Sequence, residues 1–224
     1  MEAILFDWDG TLVDTLGALY QANVAVMAAF DLPFDDDLYR QHFTPDWRVM
    51  YRRLGVPDHR LQEANDRWLA AYGNGPETSL LPGAAQALAR LAAAGRPLGL
   101  VTAGHRSVVE PQLDRFGLAG RFAVTVFGDD LPVHKPDPAP LRRALETLGL
   151  ADRPAATVYV GDVPDDMVMA RRVGVHAVGI LSALSERSSL TEAGAAEVAI
   201  SVAEWVDRSF GIMLADQPLR APAG

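Results

Sequence analysis

The chain opens on an apolar run, Ala3 to Phe6, that stops at Asp7 and continues as Trp8-Asp9-Gly10-Thr11. Carboxylates at i and i+2 share one side of an extended segment. Two acids that close repel each other and desolvate badly unless a cation or positive group sits between them. A buried strand running into a loop would deliver both to its carboxyl end, where open α/β sheets hold their ligands. Asp-Gly also suits an ordinary turn, so the pair needs company before it means chemistry.

Later segments supply that company. The run Leu98 to Val101 ends in Thr102-Ala103, and Thr157 to Val160 ends in Gly161-Asp162, with Asp166 four residues on. Between them lies Lys135 in His134-Lys135-Pro136, the only lysine beside 19 arginines. In isolation Thr102 reads as a β-branched residue finishing a strand and Lys135 as a solvated surface side chain. Asp165 and Asp166 follow Pro164 at a helix start, where acids gain about 0.3–1 kcal/mol from the helix dipole.

The elements that must position these residues alternate from residue 82 onward. Helical patterns at 83–94, 106–116, 138–148, 164–173 and 202–210 interleave with strand patterns at 98–101, 123–127, 157–160, 176–180 and 197–201. Such alternation means βαβ units and a parallel sheet. Residues 15 to about 80 break the rhythm. Helical stretches at 15–30, 36–42, 46–54 and 58–72 follow one another there, with no convincing strand. The fold class expected is α/β: a Rossmann-like parallel sheet flanked by helices, carrying an inserted all-α domain. The core would comprise residues 1–14 and 82–213, the insertion 15–81, and 214–224 a disordered tail. Asp14 is expected to cap the first inserted helix, and Asp35-Asp36-Asp37 to be a solvated helix start. His105 reads as a helix-start residue.

Bulk properties narrow the function. At 224 residues there is ample core for one domain plus an insert. A net charge of −9 argues against nucleic acid as partner, although a local cation cluster can still hold an anionic substrate. The absence of cysteine removes thiol nucleophiles, disulfides and thiolate metal sites. No apolar run approaches 18 residues, and a strand beginning near residue 3 leaves no room for a signal peptide. A cytoplasmic protein without membrane partners is expected.

Acid pair, hydroxyl, lysine and acid pair, in that order, resemble the haloacid dehalogenase-type superfamily of phosphotransferases. The likeness covers nearly the whole chain. Asp7-x-Asp9-Gly-Thr-Leu-x-Asp-Thr and Gly161-Asp162-Val-Pro-Asp-Asp166 are similar to its phosphoglycolate phosphatase and β-phosphoglucomutase-like branch. The resemblance implies a helical cap at 15–81 and a Mg²⁺-dependent phosphatase acting on a small phosphorylated metabolite. It implies Asp7 as nucleophile, forming an aspartyl-phosphate, and Asp9 as acid and base. Asp7, Asp162 and the Asp9 carbonyl would ligate Mg²⁺. Thr102 and the Ala103 amide would bind phosphoryl oxygens, and Lys135 would pair with Asp7. Asp166 would orient metal waters or Lys135.

An acid at Asp9 and a cap without lysine disfavour dehalogenase and phosphonate-cleaving chemistry. Ala103-Gly104 stands where the family often has Asn-Lys, and Tyr20 stands near the histidine of the mutases. A phosphosugar mutase is therefore the alternative, and a non-catalytic interaction protein a third reading. Arg48, beside Trp47, is the cap residue expected to read the substrate, because arginine suits carboxylate or phosphate. A monomer or homodimer is expected.

Overall fold

Residues 1–73 and 78–211 are described by the computed structural model. The tail at 214–224, expected to be disordered, lies outside them. β1 (Ala3–Phe6) is buried along its whole length and sits inside a six-stranded sheet. It pairs in parallel with β4 (Leu98–Val101) on one side and β6 (Thr157–Gly161) on the other. β5 (Val124–Val126) extends the sheet beyond β4. β7 (His176–Ile180) and β8 (Glu197–Ala199) extend it beyond β6, again in parallel. Strands of this kind are covered on both faces and read as unbroken apolar runs.

The pleat divides β1 between two cores. Ile4 and Phe6 join the core built with α5 (Ala84–Ala93), α6 (Arg106–Arg115) and α10 (Val202–Phe210). Ala3 and Leu5 join the core built with α7 (Ala139–Thr147), α8 (Pro164–Val173) and α9 (Arg187–Ala193). The strands and helices read from residue 82 onward coincide with these elements to within two residues. The exception is α9, which the sequence does not announce. It has seven residues and buries only Leu190, too little to display a helical period.

Ahead of this, α1 (Leu16–Ala29), α2 (Asp36–His42), α3 (Trp47–Arg53) and α4 (Leu61–Gly73) pack around a cluster of their own that includes Met27, Tyr39, Tyr51 and Leu61. Asp35 caps α2 by accepting the Leu38 N–H at 2.8 Å. One short strand, at 79–80, departs from the expectation of an all-helical stretch at 15–81. β2 (Val13–Asp14) pairs antiparallel with β3 (Ser79–Leu80), which lays the two connections side by side. Two residues per strand are too few for any periodicity to register. Asp14 belongs to that ribbon and does not cap α1, whose N-cap is Thr15 and makes no side-chain cap bond.

Candidate active site

Register brings the chemistry together. Phe6 lies opposite Leu100 of β4 and Val160 of β6, so three strands end at nearly one level. One or two residues further, Asp7, Thr102 and Asp162 emerge side by side. Asp7 prolongs the ladder by donating its N–H to the Val160 carbonyl at 2.9 Å, and Thr102 does the same to Val126 at 3.0 Å. Asp7 and Asp9 line a common cavity. Trp8 between them turns the other way, where its indole N–H reaches Gln112 at 2.7 Å. Gly10 is needed next: its φ is +72°, and a Cβ there would meet Asp162 Oδ2 at 2.5 Å. Gly161 meets the same constraint from Asp166, at 2.4 Å.

Lys135 stands at the centre, 2% exposed, with Nζ 2.6 Å from Asp7 Oδ1 and 2.9 Å from Asp166 Oδ1. Asp166 Oδ1 also accepts the Tyr159 hydroxyl at 3.2 Å. Its Oδ2 accepts the N–H groups of Asp162 at 3.1 Å and Val163 at 3.3 Å. A carboxylate offers about four acceptor positions, and those of Asp166 are filled. Asp166 therefore fastens Lys135 to the start of α8.

Asp162 is different. Its Oδ1 accepts the Thr11 hydroxyl at 3.0 Å, while its buried Oδ2 has no partner among the described residues. Oxygens of Asp7, Asp162 and Asp166 lie within 4.8 Å of one another. Three buried carboxylates, with the half-buried Asp9 beside them, face one ammonium. Burial pushes the Asp7 carboxyl up to about 7, with Asp166 and Asp9 adding to the rise and Lys135 opposing it. Burial, then the charges of Asp7 and Asp166, holds Asp162 well above the carboxylate range. Asp9 is raised too, by burial. Burial favours a neutral Lys135, yet Asp166 and Asp7 outweigh it and keep its pKa above the ordinary value. An orphaned carboxylate oxygen beside excess negative charge fits a hard divalent cation, which takes few protein ligands.

The cavity holds about 810 Å³ of empty space, part of it open to solvent. Ala103 and Gly104 line its floor. The Thr102 oxygen accepts the Gly104 N–H at 2.9 Å, which leaves its own O–H free to donate. The roof comes from α1 to α4, through residues such as Tyr39, Trp47 and Trp68.

A model of haloacid dehalogenase-like hydrolases matches residues 4–180. The chain belongs to the haloacid dehalogenase-like hydrolase family. It is 34% identical over 197 residues to the phosphoglycolate phosphatase of Synechococcus elongatus, covering 86% of this chain and 90% of that one. It is 35% identical over 211 residues to the Rhodospirillum rubrum phosphoglycolate phosphatase, covering 88% and 86%. The crystal structure of CbbY from Rhodobacter sphaeroides in complex with phosphate superposes with a TM-score of 0.75 at 26% identity, covering 91% of this chain and 96% of that one. The chain is accordingly a phosphatase of this family.

Within this haloacid dehalogenase-like hydrolase, Asp7, Asp9, Ala103, Lys135 and Asp162 line the cavity, and Thr102 and Asp166 lie directly behind it. Arg48 does not line it. Its guanidinium lies 4.3 Å from the centre of the Trp47 ring and 2.6 Å from His134 Nε2. His105 is the N-cap of α6, as read, but it also lines the cavity. Other residues escaped the sequence reading. Thr44 donates its hydroxyl to Asp165 Oδ2 at 2.7 Å, joining the helical segment to the first turn of α8. Ser185 donates to the Asp162 carbonyl, and Tyr159 donates to the Val101 carbonyl at 2.9 Å and to Asp166. Apart from Tyr159 and Asp166, which are seven residues apart, partners 23 to 121 residues away leave no local spacing to read.

Lys135→Arg should fail to restore full activity. The slot is 2% exposed and fits a compact ammonium between two carboxylates, so a larger planar group overpacks it at about 1–3 kcal/mol. Thermal melts and steady-state rates check this. Near-normal rates with unchanged stability would place Lys135 outside the chemistry.

Proposed function

We propose that this protein is a Mg²⁺-dependent phosphatase that hydrolyses a small phosphomonoester through an aspartyl-phosphate on Asp7, with residues 15–81 as the cap. The supporting observation is the Asp7 carboxylate, held by Lys135 at 2.6 Å in a cavity it shares with Asp9. Asp7 attacks phosphorus while the bond to the leaving oxygen breaks and Asp9 gives that oxygen its proton. Asp9 then takes a proton from water, which attacks the same phosphorus, frees Asp7 and releases phosphate. The raised pKa of Asp9 suits a group that begins as an acid. The Thr102 hydroxyl, the Ala103 N–H and the Lys135 ammonium meet the phosphoryl oxygens. Asp7, Asp162 and the Asp9 carbonyl would hold Mg²⁺, whose positive charge would let two anions meet.

A phosphosugar mutase needs cap cations for a second phosphate. Among the described residues, no lysine or arginine of the helical segment lines the cavity. Tyr20 stacks on Phe34 at 5.5 Å within the helical cluster. Hydrolysis is favoured.

Turnover of p-nitrophenyl phosphate should require Mg²⁺, and full activity in excess chelator would overturn the metal's role. Binding should also be visible without turnover. Burial pushes the Asp7 carboxyl up to about 7 from an ordinary 3.8. The folded state thus binds more protons than the unfolded one across that interval, and stability falls as pH rises through it. Mg²⁺ needs those acids ionised, so its stabilising effect should grow over the same interval, reaching about 2.7 kcal/mol at a hundred times Kd. A melting-temperature gain as large at pH 5 as at pH 8 would detach the cation from these carboxylates.

A further inference from the structure

The upper half of the cavity carries no spare positive charge. Among the described residues Lys135 is the only lysine or arginine lining it, and Asp7 and Asp166 occupy its ammonium. The one other basic side chain there, His105, lies beside the Trp68 ring at 6.2 Å, and burial holds its pKa below the ordinary value. Arg48 is turned onto Trp47 and His134, behind the wall. Asp9 and Asp162 line the floor. A carboxylate or second phosphate on the leaving group would thus meet no lysine or arginine of the described lining above Lys135, with Asp9 and Asp162 below it, which is unfavourable.

What the walls do offer is ring surface and amides. Tyr39, Phe43, Trp47 and Trp68 present aromatic faces and edges, which suit a flat or cyclic group. Asn23 is largely occupied: it accepts the Tyr51 hydroxyl at 2.9 Å and donates to the Leu19 carbonyl at 2.9 Å. Asn65 is not. It lines the cavity, is only 7% exposed, and its amide makes no hydrogen bond to the described residues. Its amide atoms open onto the cavity, where water meets them in the free protein. A ligand hydroxyl can take the place of that water.

We propose that the substrate is the phosphate ester of an uncharged, ring-bearing alcohol, its ring held among the aromatic side chains and a hydroxyl bound by Asn65. The proposal rests on the phosphatase reading and narrows it away from phosphoglycolate, whose carboxylate the cavity does not match.

The test compares kcat/KM for benzyl phosphate, a pyranose 6-phosphate, phosphoglycolate and fructose 1,6-bisphosphate. Benzyl and pyranose esters should exceed the two with a second anion by tenfold or more. Phosphoglycolate or the bisphosphate ranking first would overturn the proposal. Asn65→Ala should lower the ratio of pyranose to benzyl turnover by about 2–13-fold, the value of one neutral hydrogen bond. An unchanged ratio in a variant with a wild-type melting temperature would remove Asn65 from recognition, and Asn65→Gln repeats the measurement if the alanine form is unstable. Calorimetric Kd values for the same four ligands on Asp7→Asn protein give the order without turnover. No hydrolysis of any ester would sink the phosphatase reading, while the binding order would still decide this one.

Discussion

Replacing Asp7 with asparagine is expected to lower turnover by more than about a thousandfold while leaving the protein at least as stable. The amide matches the carboxylate in shape, so its oxygen can still accept from Lys135, now 2.6 Å from Asp7 Oδ1. It cannot attack phosphorus to form an acyl-phosphate, and loss of a nucleophile removes the whole covalent route. Stability should move the other way. Burial pushes Asp7 up to about 7, so above that pH its ionisation costs the fold stability. Removing that charge at pH 8 in chelator relieves the acid cluster, and Lys135 keeps Asp166 at 2.9 Å. Rates and melting temperatures measured together decide the matter. Residual activity above a tenth of wild type would exclude Asp7 as nucleophile, and a melting temperature lowered by several degrees would make the loss structural.

Asp9→Asn should cost about 10²–10⁴-fold, the usual worth of a positioned acid–base group. Its signature differs from that of Asp7→Asn. Asp9 would serve both halves of the reaction, so the outcome depends on which half needs a proton more. A p-nitrophenolate leaves with little help, whereas water attacking the aspartyl-phosphate still needs a base. Phosphoenzyme should therefore accumulate with p-nitrophenyl phosphate, seen as an initial burst of p-nitrophenol and as phosphorylated protein by mass spectrometry. A natural alkyl ester should show no burst, because its departure is slowed first. Slow turnover of both esters without phosphoenzyme from either would remove Asp9 from the second step.

The sheet and the floor of the site were legible in the sequence because their signals are local. A strand buried on both faces must be an unbroken apolar run, so β1, β4 and β6 announce themselves, and each ends where a polar residue begins. Parallel pairing then sets those ends level, which is why the strand ends alone group Asp7, Thr102 and Asp162. Even Lys135 stood out, by its rarity.

What the tertiary structure decided is everything that depends on distant partners. Asp166 and Asp162 are near neighbours in one motif, yet packing fills every acceptor position of the first and leaves an oxygen of the second bare. Arg48 has the chemistry to read an anion, but His134, 86 residues away, takes its guanidinium out of the cavity. Asn65 looks like any polar helix residue until α4 is packed against the rest and its amide is left facing empty space. Residue type and spacing specify which groups a segment can present. Which of them find partners, and which stay open for a substrate, is set by side chains that meet only when the chain is folded, because unmet polarity has consequences only where water is excluded.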